Sequence, residues 1–101
     1  MAVREEKRFS VYILASRRNG TLYVGVTSDL PRRVHEHHEG LIGGFTKRYG
    51  VKQLVWYEAH DTAEGAILRE KRLKRWNRAW KIGLIEKDNP GWADRWDALS
   101  A

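Results

Sequence analysis

The 101-residue sequence contains no cysteine, only one methionine and only two prolines. The absence of cysteine excludes disulfide bonds and any zinc site built on thiolates. No apolar run approaches the roughly 20 residues that a membrane-spanning helix requires, and residues 1–10 lack the apolar segment of a secretory signal. These absences predict a single cytoplasmic domain, with a core over about residues 9–92 and loosely held termini.

Positive charge is concentrated in one stretch of the chain. There are 19 Lys and Arg residues against 13 Asp and Glu, a net charge of +6. The stretch 69–81 contains seven basic residues and one acid, so the rest of the chain is neutral. Such a stripe is typical of proteins that bind nucleic acid, although a solvated helix face gives the same pattern.

Two segments of alternating apolar residues surround Asn19-Gly20 and predict a β-hairpin. With any even-numbered loop, six apolar side chains share one face: Val11, Ile13, Ala15, Leu22, Val24 and Val26. Tyr12 and Tyr23 then share the opposite face. A two-residue turn is possible, but we prefer a four-residue loop, which pairs Leu14 with Tyr23.

A helix, a loop and a third strand are expected next. Ser28 or Asp29 can cap a helix that ends at about Gly40. The glycine-rich stretch 40–50 is interpreted as a mobile loop. Residues 51–59 are rich in β-branched and aromatic residues and predict a strand, apolar enough to be the central one.

The remaining sequence predicts helices. One helix covers about residues 62–75, and residues 76–88 either continue it or bend into a separate helix. Pro90 ends helical structure, and Trp92 and Trp96 are expected to dock a short terminal turn. The predicted fold is α/β (α+β), a small three-stranded antiparallel sheet flanked by helices, in the order strand, strand, helix, strand, helix, helix.

Glu70 is the least expected residue of the long helix. At 100° per residue it lies in the middle of the face formed by Ala63, Ala66, Ile67 and Leu73. A carboxylate on an apolar face is costly unless a cation or hydrogen-bond donors meet it. Glu70 therefore indicates either an internal ion pair with Lys74 or a metal-binding or acid–base carboxylate.

The other candidate residues are less specific. Tyr12 and Tyr23, taken singly, are ordinary strand residues. The cluster of His35, His37 and His38 lacks the HExxH spacing of a helical zinc site, so a histidine metal site is disfavoured. The residues alone thus indicate a small basic domain that binds nucleic acid and has one carboxylate in an unusual place.

Taken in order, these segments resemble the GIY-YIG nuclease superfamily, in particular its small stand-alone bacterial members. Ser10-Val11-Tyr12 corresponds to the first tripeptide motif and Tyr23-Val24-Gly25 to the second. Arg33, ten residues after Tyr23, matches the family arginine, and His37 matches a later position that is commonly His or Tyr. The resemblance covers roughly residues 9–92.

Two further positions complete the resemblance, and two depart from it. Glu70 matches the metal-binding glutamate of the family, and Asn89 corresponds to an asparagine near the end of many members. Ser10-Val11 replaces the Gly-Ile of the first motif. Val26 stands where the excision-repair incision subunit has a lysine, a cation that Arg32 or Lys47 would have to replace.

The resemblance implies an endonuclease that hydrolyses phosphodiester bonds in DNA, with selectivity for DNA structure as one option. Glu70 would hold one Mg²⁺ or Mn²⁺ ion. Tyr12 or Tyr23 would deprotonate the attacking water, a role that requires a phenolate favoured by nearby cations. Arg33 would neutralise charge on the phosphate, and His37 would orient a tyrosine or relay the proton.

The expected partner is nucleic acid, with DNA favoured over RNA. Candidate contacts to it are eight basic residues: Arg32, Lys47, Arg69, Lys71, Arg72, Lys74, Arg75 and Arg78. Gly25 and Asn89 are expected to support the site. Two alternatives stay open, a binding module that cleaves weakly or not at all, and a protein adaptor that uses its tryptophans.

Overall fold

The computed structural model describes residues 8–100, so the loose ends predicted at residues 1–7 and 101 lie outside the described part. Three strands and five helices follow one another within this range: β1 (Phe9–Ala15), β2 (Leu22–Thr27), α1 (Leu30–His38), α2 (Phe45–Arg48), β3 (Gln53–His60), α3 (Ala63–Arg75), α4 (Arg78–Asp88) and α5 (Trp96–Ser100). The predicted order is confirmed, with two short helices, α2 and α5, added to it.

The strands form one antiparallel sheet in the order β2-β1-β3. The antiparallel sheet flanked by helices is confirmed, but the prediction that the third strand is central was wrong. β1 is central because it is buried at every position from Ser10 to Ala15. β3 is buried only over 54–56, and its second half, from Tyr57, is partly exposed, as an edge strand can be.

The hairpin has the predicted register. Leu14 pairs with Tyr23, and the loop closes through the Ser16 amide, which donates to the Thr21 carbonyl at 3.0 Å. Asn19 adopts a φ of 57°, a left-handed conformation that Asn tolerates better than most residues. The loop therefore has four residues between Ser16 and Thr21.

Each face of the sheet is covered by a separate apolar cluster. The first cluster lies on the face of the alternating apolar residues and includes Val11, Ile13, Ala66, Leu73 and Ile85. The second lies on the opposite face and includes Tyr12, Leu14, Leu30, Val34 and Leu54. Trp92 belongs to the first cluster and Trp96 packs against the second, so the tail is docked through both tryptophans as predicted.

Helix boundaries follow local hydrogen-bonding chemistry. Asp29 caps α1 by accepting a hydrogen bond from the Arg32 amide at 3.2 Å. After α3, Trp76 is extended, and the Asn77 side chain accepts from the Trp80 amide at 2.8 Å to start α4. Residues 76–88 therefore do not continue α3 but form a separate helix, because the chain is extended at Trp76 and capped again at Asn77.

Residues 40–50, interpreted from the sequence as a mobile loop, contain a short helix that was not predicted. Four of these residues form α2, which is enclosed by Gly44 and Gly50, both with positive φ. The Thr46 carbonyl accepts a hydrogen bond from the Val51 amide at 2.8 Å, which joins α2 to the segment before β3. Within residues 8–100 no helix is both long and apolar enough to cross a membrane.

Candidate active site

Tyr12 and Gly25 lie opposite each other on β1 and β2. A Cβ built on Gly25 would lie 2.5 Å from both the Cζ and the hydroxyl oxygen of Tyr12. The phenol thus occupies the space that any other side chain at position 25 would need. Because β2 is an edge strand, the missing side chain lets the Tyr12 ring extend across β2.

Three rings meet at this place. The ring centroids of Tyr12 and Tyr23 are 6.3 Å apart, and that of His37 lies 6.1 Å from Tyr12 and 5.7 Å from Tyr23. The Tyr12 hydroxyl is 3.3 Å from His37 Nε2. Parity within the hairpin places both tyrosines on one face, and the turn of α1 that follows Val34 brings His37 to them.

Tyr12 is held as a neutral phenol. Its side chain is fully buried, and burial raises its pKa far above the ordinary value of 10. The negative charge that Tyr23 and Glu70 can carry raises it further, while Arg33 opposes the rise through its charge and a hydrogen-bonding contact. These influences place Arg33 and Glu70 in the same electrostatic neighbourhood as the Tyr12 hydroxyl.

His37 is held as a neutral imidazole. Burial lowers its pKa below 6.5, and the positive charge of Arg33 lowers it further. The neutral ring has one N–H, and its Nδ1 is 3.1 Å from the Thr46 hydroxyl. Since Tyr12 has a proton to donate, we assign its hydroxyl as donor to Nε2 and His37 Nδ1–H as donor to Thr46.

Arg33 lies at the open side of this cluster. Its Nε is 3.3 Å from Glu36 Oε1, and its side chain is 42% exposed. Arg32 also pairs with Glu36, at 3.5 Å, but points into solvent with 76% of its side chain exposed. Both arginines line a polar depression together with Thr27, Ser28, Asp29 and Glu36. Arg33 is thus the arginine whose charge acts on Tyr12, and it also lines this depression.

Glu70 lies on α3, and its charge is one of those that act on Tyr12. Its side chain is only 15% exposed, and its Oε2 lies 3.2 Å from Lys74 Nζ. The internal ion pair expected as one alternative is therefore present. A metal-binding role for Glu70 is compatible with this ion pair. The carboxylate already pairs with a cation, and the side chain of Lys74 is 52% exposed, so it can move aside into solvent.

The donors near Glu70 fit one hard divalent ion and no larger protein cage. Among residues 8–100 no group of three or more His, Cys, Asp and Glu side chains is placed to hold a metal. Mg²⁺ commonly binds through one carboxylate and completes its shell with water and substrate phosphate oxygens. A single partly buried carboxylate such as that of Glu70 is consistent with that mode.

Asn89 is engaged elsewhere. Its side-chain amide nitrogen donates to the carbonyls of Val55, at 3.0 Å, and Ala93, at 2.9 Å. Its side-chain oxygen accepts from the Ala93 amide at 2.9 Å. All the polar atoms of this buried side chain are thus used to join β3 to the segment before α5, which makes Asn89 a support of the fold.

The predicted basic stripe divides into two groups. Arg69 pairs with Glu58 at 3.1 Å and lies over the Trp56 and Trp76 rings, and Arg78 donates to the hairpin carbonyls of Asn19 and Gly20. Lys74 pairs with Glu70. Within the described part of the chain, three cations of α3 have exposed side chains and no ion pair: Lys71, Arg72 and Arg75. Lys47 is exposed on α2.

Sequence reasoning missed Thr46. Its side chain is buried and fixes the ring of His37, which in turn meets Tyr12. The only sequence signal was a threonine among glycines and exposed residues, which has no diagnostic pattern. The contact depends on how α2 folds back on α1, and only the tertiary structure shows it.

Comparisons with known proteins identify a family and relatives of this chain. The GIY-YIG catalytic domain family matches residues 8–83. A UPF0213 protein of Syntrophus aciditrophicus strain SB is 40% identical over 81 residues, which cover 79% of this chain and 91% of the relative. UPF0213 protein HQ_3675A of Haloquadratum walsbyi is 39% identical over 67 residues, covering 66% of this chain and 75% of the relative.

The fold is also similar to a solved structure. The solution NMR structure of the UPF0213 protein BH0048 from Bacillus halodurans superposes with a TM-score of 0.54 at 29% sequence identity. The alignment covers 86% of this chain and 92% of that one. The similarity therefore extends over nearly the whole of both chains.

Proposed function

This chain belongs to the GIY-YIG family of nuclease domains, and on that premise we propose that it is a metal-dependent endonuclease that hydrolyses phosphodiester bonds in DNA. One observation carries the proposal. Tyr12, Tyr23 and His37 form one ring cluster, and the charges of Arg33 and Glu70 act on the Tyr12 hydroxyl. A cluster of polar groups contributed by different elements, with charged residues acting on it, supports an active site at this place.

The two tyrosines have different roles in this proposal. Tyr12 is fully buried, protonated and hydrogen-bonded to His37, so it orients its neighbours and takes no proton from water. Tyr23 is only partly buried and lies on the same sheet face. We therefore assign Tyr23 as the general base: as a phenolate it would take the proton of the attacking water while the water oxygen bonds to phosphorus and the bond from phosphorus to the 3′ oxygen breaks.

Arg33 and Glu70 handle the charge of the phosphate. The Arg33 guanidinium presents a planar set of donors that fits phosphate oxygens and stabilises the charge that develops on them. Glu70 is the residue that would hold the divalent ion, with Lys74 displaced or shared. A bound Mg²⁺ or Mn²⁺ ion supplies Lewis acidity toward the phosphate and the departing 3′ oxygen.

A second candidate function is a nucleic-acid-binding module without cleavage. The Lys74–Glu70 pair favours it, because the carboxylate is satisfied without a metal ion. Val26 also favours it, because this position holds a lysine in the excision-repair incision subunit but here is apolar and packs against the first core cluster. Both functions share the phosphate-binding surface and differ in whether a bond is broken.

The two candidates are separated by a cleavage assay on end-labelled flapped, branched and duplex DNA and on RNA. Each substrate is incubated with Mg²⁺, with Mn²⁺ and with EDTA. Products that appear only with a divalent ion support the endonuclease. Retardation of the same substrates in gels, without products under any condition, supports the binding module.

Replacing Glu70→Gln is expected to lower metal-dependent cleavage by about 100-fold or more, since one charge-stabilising group contributes on that scale. Arg33→Ala should have a comparable effect for the same reason. Glu64→Gln is the matched control, because Glu64 is an exposed acid in the first turn of the same helix. Thermal unfolding of each variant verifies the fold, and undiminished cleavage by Glu70→Gln would overturn the mechanism.

A further inference from the structure

The short helix α2 exposes two aromatic rings beside two cations. Phe45 is 48% and Tyr49 50% exposed, and their ring centroids are 4.9 Å apart. The guanidinium carbon of Arg48 lies 5.4 Å from the centre of the Tyr49 ring. Together with Gly44 and Lys47, these residues line a shallow depression. We call this surface the α2 platform, made of Phe45, Lys47, Arg48 and Tyr49.

The exposure of these rings is a feature of an ordered helix. Thr46, between the exposed residues, is buried and hydrogen-bonded to His37. Backbone hydrogen bonds join Arg48 to Gly44 at 2.9 Å and Tyr49 to Phe45 at 3.0 Å. The helix therefore places a polar side chain inward and aromatic side chains outward, the reverse of an amphipathic core helix.

The chemistry of the α2 platform fits an unpaired nucleic-acid strand. From Leu41 to Lys52, both included, the sequence has three basic residues and no acidic one. This local positive charge favours binding of phosphate groups. Exposed aromatic rings offer faces on which bases stack, and a base can reach such a face only when it is not paired within a duplex. Arg48 over Tyr49 adds a planar cation that also stacks on bases.

The α2 platform is directly connected to the candidate active site. Thr46 contacts His37 Nδ1 at 3.1 Å, and His37 Nε2 contacts the Tyr12 hydroxyl at 3.3 Å. The inward side chain of Thr46 thus joins α2 to the candidate site, while the platform residues face outward from the same short segment. We propose that the α2 platform binds unpaired nucleotides of the substrate by base stacking, so that the protein selects single-stranded or flapped nucleic acid.

This inference rests on the proposed function only for the statement that the bound strand is the substrate. Binding itself can be measured without cleavage. The probes are a fluorescent oligothymidylate of about 12 nucleotides, within the site sizes of ~4–16 nucleotides known for stacking grooves, its abasic counterpart, and a duplex of the same length. Fluorescence anisotropy is recorded in EDTA, where a metal-dependent nuclease is silent.

Oligothymidylate is expected to bind about tenfold or more tightly than the abasic strand, because each stacked base contributes that much to affinity. Phe45→Ala and Tyr49→Ala should each weaken oligothymidylate binding by roughly 5- to 100-fold. Binding of the abasic strand and the duplex should change less than about twofold, since phosphate contacts are retained. Phe45→Trp should keep the affinity for oligothymidylate.

Trp80→Ala is the matched control, since Trp80 is an exposed aromatic residue, at 60%, outside the α2 platform. Equal affinity for the abasic and base-bearing strands would overturn the proposal, as would equal losses for strand and duplex. Unchanged binding in the two alanine variants would do the same and assign the exposed rings to a protein partner. If stacking is observed but no substrate is cut with Mg²⁺ or Mn²⁺, the platform stands and the endonuclease proposal fails.

Discussion

At the scale of single residues, the environment of a side chain decides its role more than its type does. Tyr12 and Tyr23 are the same residue on the same sheet face, yet Tyr12 is fully buried and Tyr23 only partly so. Burial raises the pKa of Tyr12 and fixes it as a hydrogen-bond donor to His37. In the proposed endonuclease, Tyr12 would therefore position its neighbours and Tyr23 would face the substrate.

The environment also explains the glycine at position 25, which leaves the space that the Tyr12 ring occupies. Gly25→Ala is expected to destabilise the fold by about 1–3 kcal/mol, the usual cost of overpacking a core, because the new methyl group would lie 2.5 Å from the Tyr12 ring. Urea denaturation measures the change. In the proposed endonuclease, displacement of Tyr12 from His37 should also lower cleavage more than the fraction of unfolded protein explains.

Gly43→Ala is the control for this variant. A Cβ at Gly43 would meet nothing within 4 Å, and its φ is not in the left-handed region. Its free energy of unfolding should stay within about 0.5 kcal/mol of wild type, as for most surface substitutions. An equal loss in both variants would mean that contact with Tyr12 is not the reason for a glycine at position 25.

At the scale of secondary-structure elements, α3 serves two surfaces. Ala66 and Leu73 pack into the first core cluster, and the partly buried Glu70 pairs with Lys74 and acts through its charge on Tyr12. The exposed side of the same helix holds Lys71, Arg72 and Arg75. The basic stripe read from the sequence is therefore divided between internal contacts and a solvated surface available to phosphate.

Replacing Lys71, Arg72 or Arg75 with alanine is expected to weaken nucleic-acid binding about equally for all sequences. Each replacement should reduce the slope of log affinity against log salt by about 0.9 on duplex DNA, the value for one phosphate contact. Anisotropy titrations at several salt concentrations measure the slope. Lys87→Ala, an exposed cation at the end of α4, serves as the comparison.

A different result would relocate the binding surface. If Lys87→Ala reduced the slope as much as Lys71→Ala, the effect would come from net charge and not from the face of α3. Arg78→Ala should instead lower stability, because Arg78 ties α4 to the hairpin carbonyls at 2.7 and 2.6 Å. Separating these effects tests the division of the stripe.

At the scale of the whole molecule, the site is assembled from segments that are distant in the chain. The hairpin provides both tyrosines, α1 provides Arg33 and His37, and α3 provides Glu70. The segment after α4 covers the edge of β3, where the backbone amide of Arg95 donates a hydrogen bond to the Leu54 carbonyl at 2.7 Å. The packing that stabilises the fold therefore also sets the geometry of the candidate site. Protonation of the buried His37 should for this reason change the free energy of unfolding.

The free energy of unfolding is expected to fall as the pH is lowered from about 7.5 to 5.5. The pKa of His37 in the folded state is lowered from its ordinary value of 6.5, so in this range position 37 binds more protons in the unfolded chain than in the folded chain. The contribution of His37 is complete above its unfolded pKa and is lost below it, by at most about 1.4 kcal/mol per pH unit. Urea denaturation across this range measures the slope.

His37→Gln should reduce that slope, because glutamine does not titrate. His35→Gln is the control, since His35 is exposed and lies two residues earlier on the same helix. A wild-type slope in His37→Gln would show that other groups cause the acid sensitivity. A reduced slope in His35→Gln would have the same meaning.

Much of the fold was predictable because local chemistry decides it. The period-two alternation and Asn19-Gly20 predicted the hairpin and its register, and Asp29 capped α1 as expected. The position of β3 in the sheet was not predictable, because β1 and β3 are both apolar and the order depends on which strand is covered on both sides. α2 was missed because four residues between glycines carry no helical period.

The sequence by itself determined which residues could form the site. The spacing of Tyr12, Tyr23, Arg33 and Glu70 and the hairpin parity are properties of the chain, and the family match covers the range 8–83 that contains them. Only the tertiary structure decided that Tyr12 is buried and that Thr46 orients His37. Burial and contacts between distant segments arise when elements pack together, and packing is not written in any local pattern.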